Sequence, residues 1–226
     1  MDVTSSNNIK LHFEMLPTKT VKAFEFLSKE QWLVGSNWYL AGGTALTLQV
    51  GNRKSVDLDF FTQDKDFDND GLLGNFKTGT DWSIDINRKN TIYGELFGAK
   101  VSFIAYPFFI PAEKPLLYGS IKILKPGDIM VMKIIAISQR GRKRDFFDLY
   151  WFMKNGEVLE NTMHKLKNQY PSVAHDYHHI LKSLVYFDDA ESDPAPEINF
   201  NASWKEVKEF FMDQIPRVTK DLVNLN

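Results

Sequence analysis

The stretch from Tyr39 to Thr62, YLAGGTALTLQVGNRKSVDLDFFT, constrains this chain more than any other. A short apolar run enters a double glycine, Gly42-Gly43, followed by Thr44. A brief helical segment with Leu46, Leu48 and Val50 comes next, and Arg53 and Ser55 lead into Val-Asp-Leu-Asp-Phe-Phe. Alternation along a strand directs Asp57 and Asp59 to one face and Leu58 and Phe60 to the other. Two carboxylates about 6–7 Å apart along a strand repel each other unless something neutralises them, and a divalent cation with oxygen ligands does so. The glycines let a phosphate approach backbone N–H groups closely, while Thr44 is placed to cap the helix and to donate a hydroxyl. If the strand begins early, Arg53 and Ser55 share the parity of the two aspartates. Either then reaches the site, or Arg53 pairs with a carboxylate outside it. Alone, a D-x-D is more often a solvated strand face and a G-G a simple turn; together with R-x-S in so short a span they favour a nucleotide site.

Composition sets the outer bounds. A chain of 226 residues fits one or two domains and can bury a sizeable core. The 18 phenylalanines point to a core filled by large rings. Cysteine is absent, which excludes disulfides and thiolate chemistry and suits a reducing cytoplasm. A net charge of −2 argues against a uniformly basic nucleic-acid binder, so any such contact must use a local patch. No apolar run is long enough for a transmembrane helix, and the first residues lack the pattern of a secretory signal. A cytoplasmic protein with no membrane contact is expected.

Thr18 to Leu33 reads as an amphipathic helix, and Trp38 to Ala41 as the first strand. Gln63 to Asp70 holds four aspartates and reads as a solvated loop, with a short helix expected over Gly71 to Lys77. Trp82 to Asn87, Thr91 to Phe97 and Lys100 to Tyr106 read as three antiparallel strands, and Ser120 to Leu124 as a further short one. Pro107 to Pro115 is an apolar connection. Pro126-Gly127-Asp128 is a helix start with Asp128 as its cap, and Ile129 to Ser138 is the helix. Further helices are expected at Lys143 to Met153, Glu157 to Gln169, Val173 to Tyr186 and Trp204 to Asn224. The acidic, proline-bearing Asp188 to Ala202 reads as a flexible linker. The fold class is α+β: a mixed β-sheet core with an N-terminal helix over residues 1–124, then a helical half over 125–226, with a cleft between them as the nucleotide site.

In the helical half, Lys133 lies within IMVMKIIAI and is costly to bury unpaired, so it either snorkels to solvent or meets an anion. QRGRKR carries Arg140, Arg142, Lys143 and Arg144 without an acid among them, a generic basic loop that beside the cleft could bind triphosphate or a nucleic-acid backbone. Asp145 and Asp148 share a helix face, and Asp145 falls in the first turn, where the helix dipole favours it.

GGTAL followed by R-x-S-x-D-L-D-F-F resembles the active-site signature of the nucleotidyltransferase superfamily, and more narrowly that of the AbiEii/AbiGii-type toxins of bacteria. Downstream, Asp128 to Lys133 and RGRKRDFFDLY are similar to that family's lysine and R/K-D-x-x-D motifs, so the resemblance covers roughly residues 35 to 155. It implies a nucleotidyltransferase-like fold and an enzyme that moves NMP from an NTP to an acceptor with Mg2+ (or Mn2+). Asp57 and Asp59 are then the metal ligands and catalytic carboxylates, joined by Lys133 and by Asp148 in preference to Asp145. Gly42, Gly43, Thr44, Arg53, Ser55, Lys133, Arg144 and Asp145 would bind the nucleotide. The acceptor would be RNA, a tRNA end or a protein, and a cognate antitoxin is the implied partner. A non-catalytic nucleotide-binding module and an antibiotic-modifying enzyme are the alternatives. The chain departs from the pattern twice. Ser102, with Asp85 and Glu95 on neighbouring strands, stands where many nucleotidyltransferases carry a third strand carboxylate. Asn52-Arg53 stands where His-Arg is frequent.

Overall fold

The structure is a computed structural model and describes residues 10–76 and 79–223. Residues 1–9, Lys77 and Asn224, which bear on the lead-in and on two expected helix ends, lie outside that range.

The apolar run before the glycines forms β1 (Tyr39–Ala41), and Gly42–Val50 forms α2, preceded by α1 (Thr18–Leu27). The D-x-D run forms β2 (Leu58–Thr62), which pairs antiparallel with β1 so that Ala41 lies opposite Asp59. After α3 (Asn69–Leu73), the hairpin-length connections produce β3 (Trp82–Arg88), β4 (Thr91–Leu96) and β5 (Ala99–Ala105), each antiparallel to its neighbour as expected. β6 (Leu116–Tyr118) and β7 (Ile121–Ile123) close the sheet, whose seven strands run β3-β4-β5-β2-β1-β7-β6. β2 is parallel to β5 and β1 to β7, giving the mixed sheet of an α+β fold.

Pleating sorts the two sheet faces. Phe60 and Phe103 stack on one face, where Trp32, Trp38 and Phe76 close around Phe103. Asp59 and Ser102, one residue out of phase, are left for the opposite face.

The helical half comprises α4 (Pro126–Arg140), α5 (Lys143–Lys154), α6 (Leu159–Gln169), α7 (Tyr177–Ser183), α8 (Asp188–Glu191) and α9 (Trp204–Val223). α4 is central, packing against α2, α5, α6 and α7. Rings from α5, α9 and the chain between them, Phe146, Phe187, Trp204 and Phe211, seal the other side of α5.

Four of the departures from the sequence expectations bear on how the site is framed. The helix expected over Thr18 to Leu33 ends at Leu27, because Ser120 between β6 and β7 takes the carbonyls of Leu27 and Ser28; a 3-10 turn follows at Gln31–Leu33. β6 is a strand that local sequence does not announce, since its three residues gain strand character only by pairing with β7. Asp128 is not the cap of α4, whose N-cap is Lys125. Its buried carboxylate instead accepts from the amides of Ala112 and Glu113 and from Gln169 Nε2, tying α6 and the proline-bounded connection to α4. The acidic stretch from Asp188 is no free linker. It contains α8, Asp193 pairs with Arg142 at 2.8 Å, and Ile198 bridges Arg53, so it is strapped across the back of the site.

Candidate active site

A cleft of about 570 Å3 opens where the N-terminus of α2, the D-x-D segment, β3–β5 and helices α4 and α5 meet. Its volume suits a nucleotide-sized ligand. Gly42 begins α2 with φ +73, a conformation L side chains rarely adopt, and a Cβ there would meet Asp59 Oδ2 at 3.0 Å. At Gly43 a Cβ would lie 2.4 Å from Arg53 Nη2 and 3.0 Å from Ser55 Oγ. No side chain caps this helix, so its first-turn amides remain available to an anion. Gly43→Ala is expected to push Arg53 off its partner and to weaken nucleotide binding at least about tenfold. Gly35→Asn, at a left-handed position with open space around it, leaves binding near wild type; titration of a fluorescent NTP analogue checks both.

Thr44 departs from its expected role. It is the third residue of α2 rather than its cap, and its buried hydroxyl donates to the Asp57 carbonyl and lies 2.9 Å from Ser55 Oγ. It does not line the cleft; it holds the D-x-D segment against α2. Gly42, Gly43, Arg53, Ser55, Asp57 and Asp59 all line it. The shared parity of the last four is realised without an early strand, since β2 starts only at Leu58.

Asp57 and Asp59 share the cleft face. Ser102 Oγ donates to Asp59 Oδ1 at 2.8 Å, and Arg144 Nη1 stands 3.9 Å from Asp57 Oδ2. Burial pushes the Asp59 carboxyl up and the neighbouring Asp57 charge adds to the rise, against the Ser102 hydrogen bond and the Arg144 and Arg140 charges. A desolvated carboxylate beside a second one fits a hard cation. Mg2+ is held by one or two carboxylates with water and substrate phosphates completing its shell, so this pair suffices.

Lys133 does not snorkel. With 6% of its surface exposed, its ammonium bridges Asp145 Oδ1 at 2.5 Å and Asp148 Oδ2 at 2.7 Å. Two of its three N–H groups are thereby used, and the residue lines the cleft. Asp148, expected as a catalytic group, lies behind the cleft wall instead. Arg53 reaches it through Nε at 2.7 Å and Nη2 at 2.9 Å, and Asn52 Nδ2 donates at 2.7 Å. Burial opposes its ionisation, but the Arg53 and Lys133 charges prevail and hold its carboxyl well below the usual range. Arg53 is accordingly occupied with Asp148, and Asn52 supplies the neutral donor beside it. Asp145 is the aspartate that lines the cleft, and its buried Oδ2 has no hydrogen-bond partner.

The basic run divides by side. Arg140 and Arg144 line the cleft, with Arg140 Nη2 3.8 Å from Asp145 Oδ2. Arg142 and Lys143 turn away to grip Asp193 and the Glu191 carbonyl. The cleft also contains Asp85 and Tyr93, from strands whose register no local signal in the sequence disclosed.

The fold has solved counterparts. A crystal structure of a protein assigned as a nucleotidyltransferase of H. pylori matches with a TM-score of 0.53 at 18% identity, covering 93% of this chain and 99% of the other. MenT4, a nucleotidyltransferase toxin from Mycobacterium tuberculosis H37Rv, matches with a TM-score of 0.51 at 13% identity, covering 90% and 86%. These likenesses define the class: a nucleotidyltransferase fold. The sequence profile of the family described as "Nucleotidyl transferase AbiEii toxin, Type IV TA system" matches residues 26–81 and 93–222, and the chain belongs to that family. An uncharacterized protein of Aquifex aeolicus (strain VF5) is 37% identical over 184 residues, spanning 80% of this chain and 87% of the relative. Among the described residues no helix is long and apolar enough to cross a membrane.

Proposed function

We propose that this chain transfers an NMP from an NTP to an acceptor hydroxyl, releasing pyrophosphate, and that it is the toxic member of a toxin–antitoxin pair. The observation that carries this reading is the convergence of an uncapped helix N-terminus, two facing carboxylates and a buried lysine with one spare donor in a single cleft. Gly42 and Gly43 hold the outer phosphates through backbone amides. Lys133, oriented by Asp145 and Asp148, donates its third N–H to a phosphate oxygen. Asp57 and Asp59 would hold Mg2+, which would supply charge neutralisation at the phosphates. Ser102 fixes one oxygen of Asp59, and the free Oδ2 of Asp145 accepts from a donor on the nucleotide. Arg140 and Arg144 line the opening, where an RNA acceptor's backbone passes.

Ser102 in place of a third carboxylate favours one second reading, a module that binds nucleotide without turning it over. Both are tested with purified protein, each labelled NTP in turn, Mg2+, and total cell RNA and protein. Label moving into RNA or protein, and lost in Asp57→Ala and Asp59→Ala, is the expected result. NTP binding that depends on Lys133 with no label transferred would establish the binding module instead. Neutralisation by an antitoxin is checked separately, as rescue of growth when the cognate partner is co-expressed.

A further inference from the structure

The sheet register aligns the site in one row. Ala41 of β1 lies opposite Asp59 of β2, Asp59 beside Ser102 of β5, Ser102 opposite Tyr93 of β4, and Tyr93 opposite Ile86 of β3. The pairing slips between Ile84 and Ile86, which makes Asp85 the extra residue of a β-bulge. Bulges re-aim side chains, and here Asp85 and Ile86 both line the cleft with Tyr93.

Direction along this row follows from the chemistry. The helix N-terminus that holds the leaving pyrophosphate lies at the β1 end, and the carboxylates at β2 mark the α-phosphorus. In-line displacement brings the nucleophile from the opposite side, over β5, β4 and β3. At strand spacings of about 4.8 Å, Tyr93 stands roughly two strands beyond Asp59, on the side from which the nucleophile comes. Tyr93 is 39% exposed. Among the described residues its ring meets no other ring and its hydroxyl no hydrogen-bond partner, and the Asp85 carboxylate is likewise unpaired.

Resting on the transferase reading above, we propose that Tyr93 is the platform on which the unpaired terminal base of a single-stranded nucleic-acid acceptor stacks, with Asp85 reading that base's edge. The terminal hydroxyl oxygen then forms its bond to the α-phosphorus as the bond to the β-phosphate's bridging oxygen breaks. Its proton passes to water, and pyrophosphate leaves on the β1 side. A flat exposed ring suits a base and has no use for a protein hydroxyl. Lys100, Arg140 and Arg144 around the same opening suit the acceptor's phosphates. A carboxylate only accepts hydrogen bonds, so Asp85 favours the exocyclic amino group of cytosine or adenine over uracil, whose single N3–H donor is flanked by two carbonyl oxygens that a carboxylate repels.

The probe is a single-stranded oligoribonucleotide with 2-aminopurine as its 3′-terminal base, added without NTP. Stacking is expected to quench its fluorescence. Tyr93→Ala should abolish the quench and raise the KM for the oligonucleotide roughly five- to a hundredfold, with NTP binding unchanged. Tyr93→Trp and Tyr93→Phe should keep the quench, which separates loss of the ring from loss of the fold. Oligonucleotides ending in cytosine should outcompete those ending in uracil, and Asp85→Asn should level the two; an unaltered ratio removes Asp85 from the proposal. If Tyr93→Ala retains both quench and KM, or if label moves only to protein, the platform is overturned while the transferase reading stands. If no label moves to any acceptor but the quench depends on Tyr93, the transferase reading falls and the nucleic-acid site remains.

Discussion

Replacing Asp148 with alanine is expected to destabilise the protein by about 3–5 kcal/mol, measured as the shift of the urea unfolding midpoint. Arg53 and Lys133 are 4% and 6% exposed, and both aim charged nitrogens at this one carboxylate. Removing it strands two desolvated cations, of which Lys133 keeps only Asp145 and Arg53 only the Lys54 carbonyl. The loss is therefore one of uncompensated charge more than of the contacts themselves. Asp148→Leu combined with Arg53→Met should recover at least half of it, since the arginine's desolvation then disappears with its partner. A loss below about 1 kcal/mol, the range of exposed pairs, would sink this account. The same carboxylate sets an acid limit. Its folded pKa is depressed by the Arg53 and Lys133 charges, so its contribution is complete above the ordinary carboxylate value of about 4 and is lost as pH falls through the folded value.

Asp59→Asn is expected to move activity and stability in opposite directions. Transfer should fall by at least about three orders of magnitude, because the amide cannot supply an anionic ligand facing Asp57. Folding stability should instead rise by about 0.5–2 kcal/mol. Burial, with the Asp57 charge, raises the folded pKa of Asp59 above its unfolded value. Its ionised form therefore works against the fold, stability improves as pH falls through that raised value, and asparagine removes the liability at every pH. Asn Oδ1 still accepts from Ser102, so the substitution preserves that hydrogen bond. Mg2+ should raise the melting temperature of the wild type but not of the variant. A variant less stable than the wild type, or one that retains transfer, would refute the assignment.

Much of the site was legible because its residues are close in sequence and obey a local period. Gly42, Gly43, Asp57 and Asp59 reach one cleft because a strand, a glycine turn and a strand of period two can meet in few other ways. The three antiparallel strands from Trp82 onward were likewise announced by alternation and short polar turns. The apolar surroundings of Lys133 narrowed it to snorkelling or meeting an anion, and the structure shows the anion, the Asp145–Asp148 pair. What sequence could not apportion was the division of labour among charges. Asp145 and Asp148 stand on the same helix face, yet one lines the cleft and the other is enclosed by Arg53, Asn52 and Lys133. Arg140 and Arg144 face the site while Arg142 and Lys143 grip the strap after α8, a segment whose acidity and prolines mimic a free linker.

Local order thus determined the groups available: a glycine turn into a helix, paired carboxylates and a lysine in apolar surroundings. Tertiary structure alone decided which carboxylate that lysine shares with Arg53, and which strand's tyrosine stands in line with the paired aspartates. The physical reason is that burial and cross-strand register depend on residues far apart in the chain. The pairing of Asp59 with Ser102 across 43 positions, and of Arg53 with Asp148 across 95, is set by packing rather than by any periodic signal.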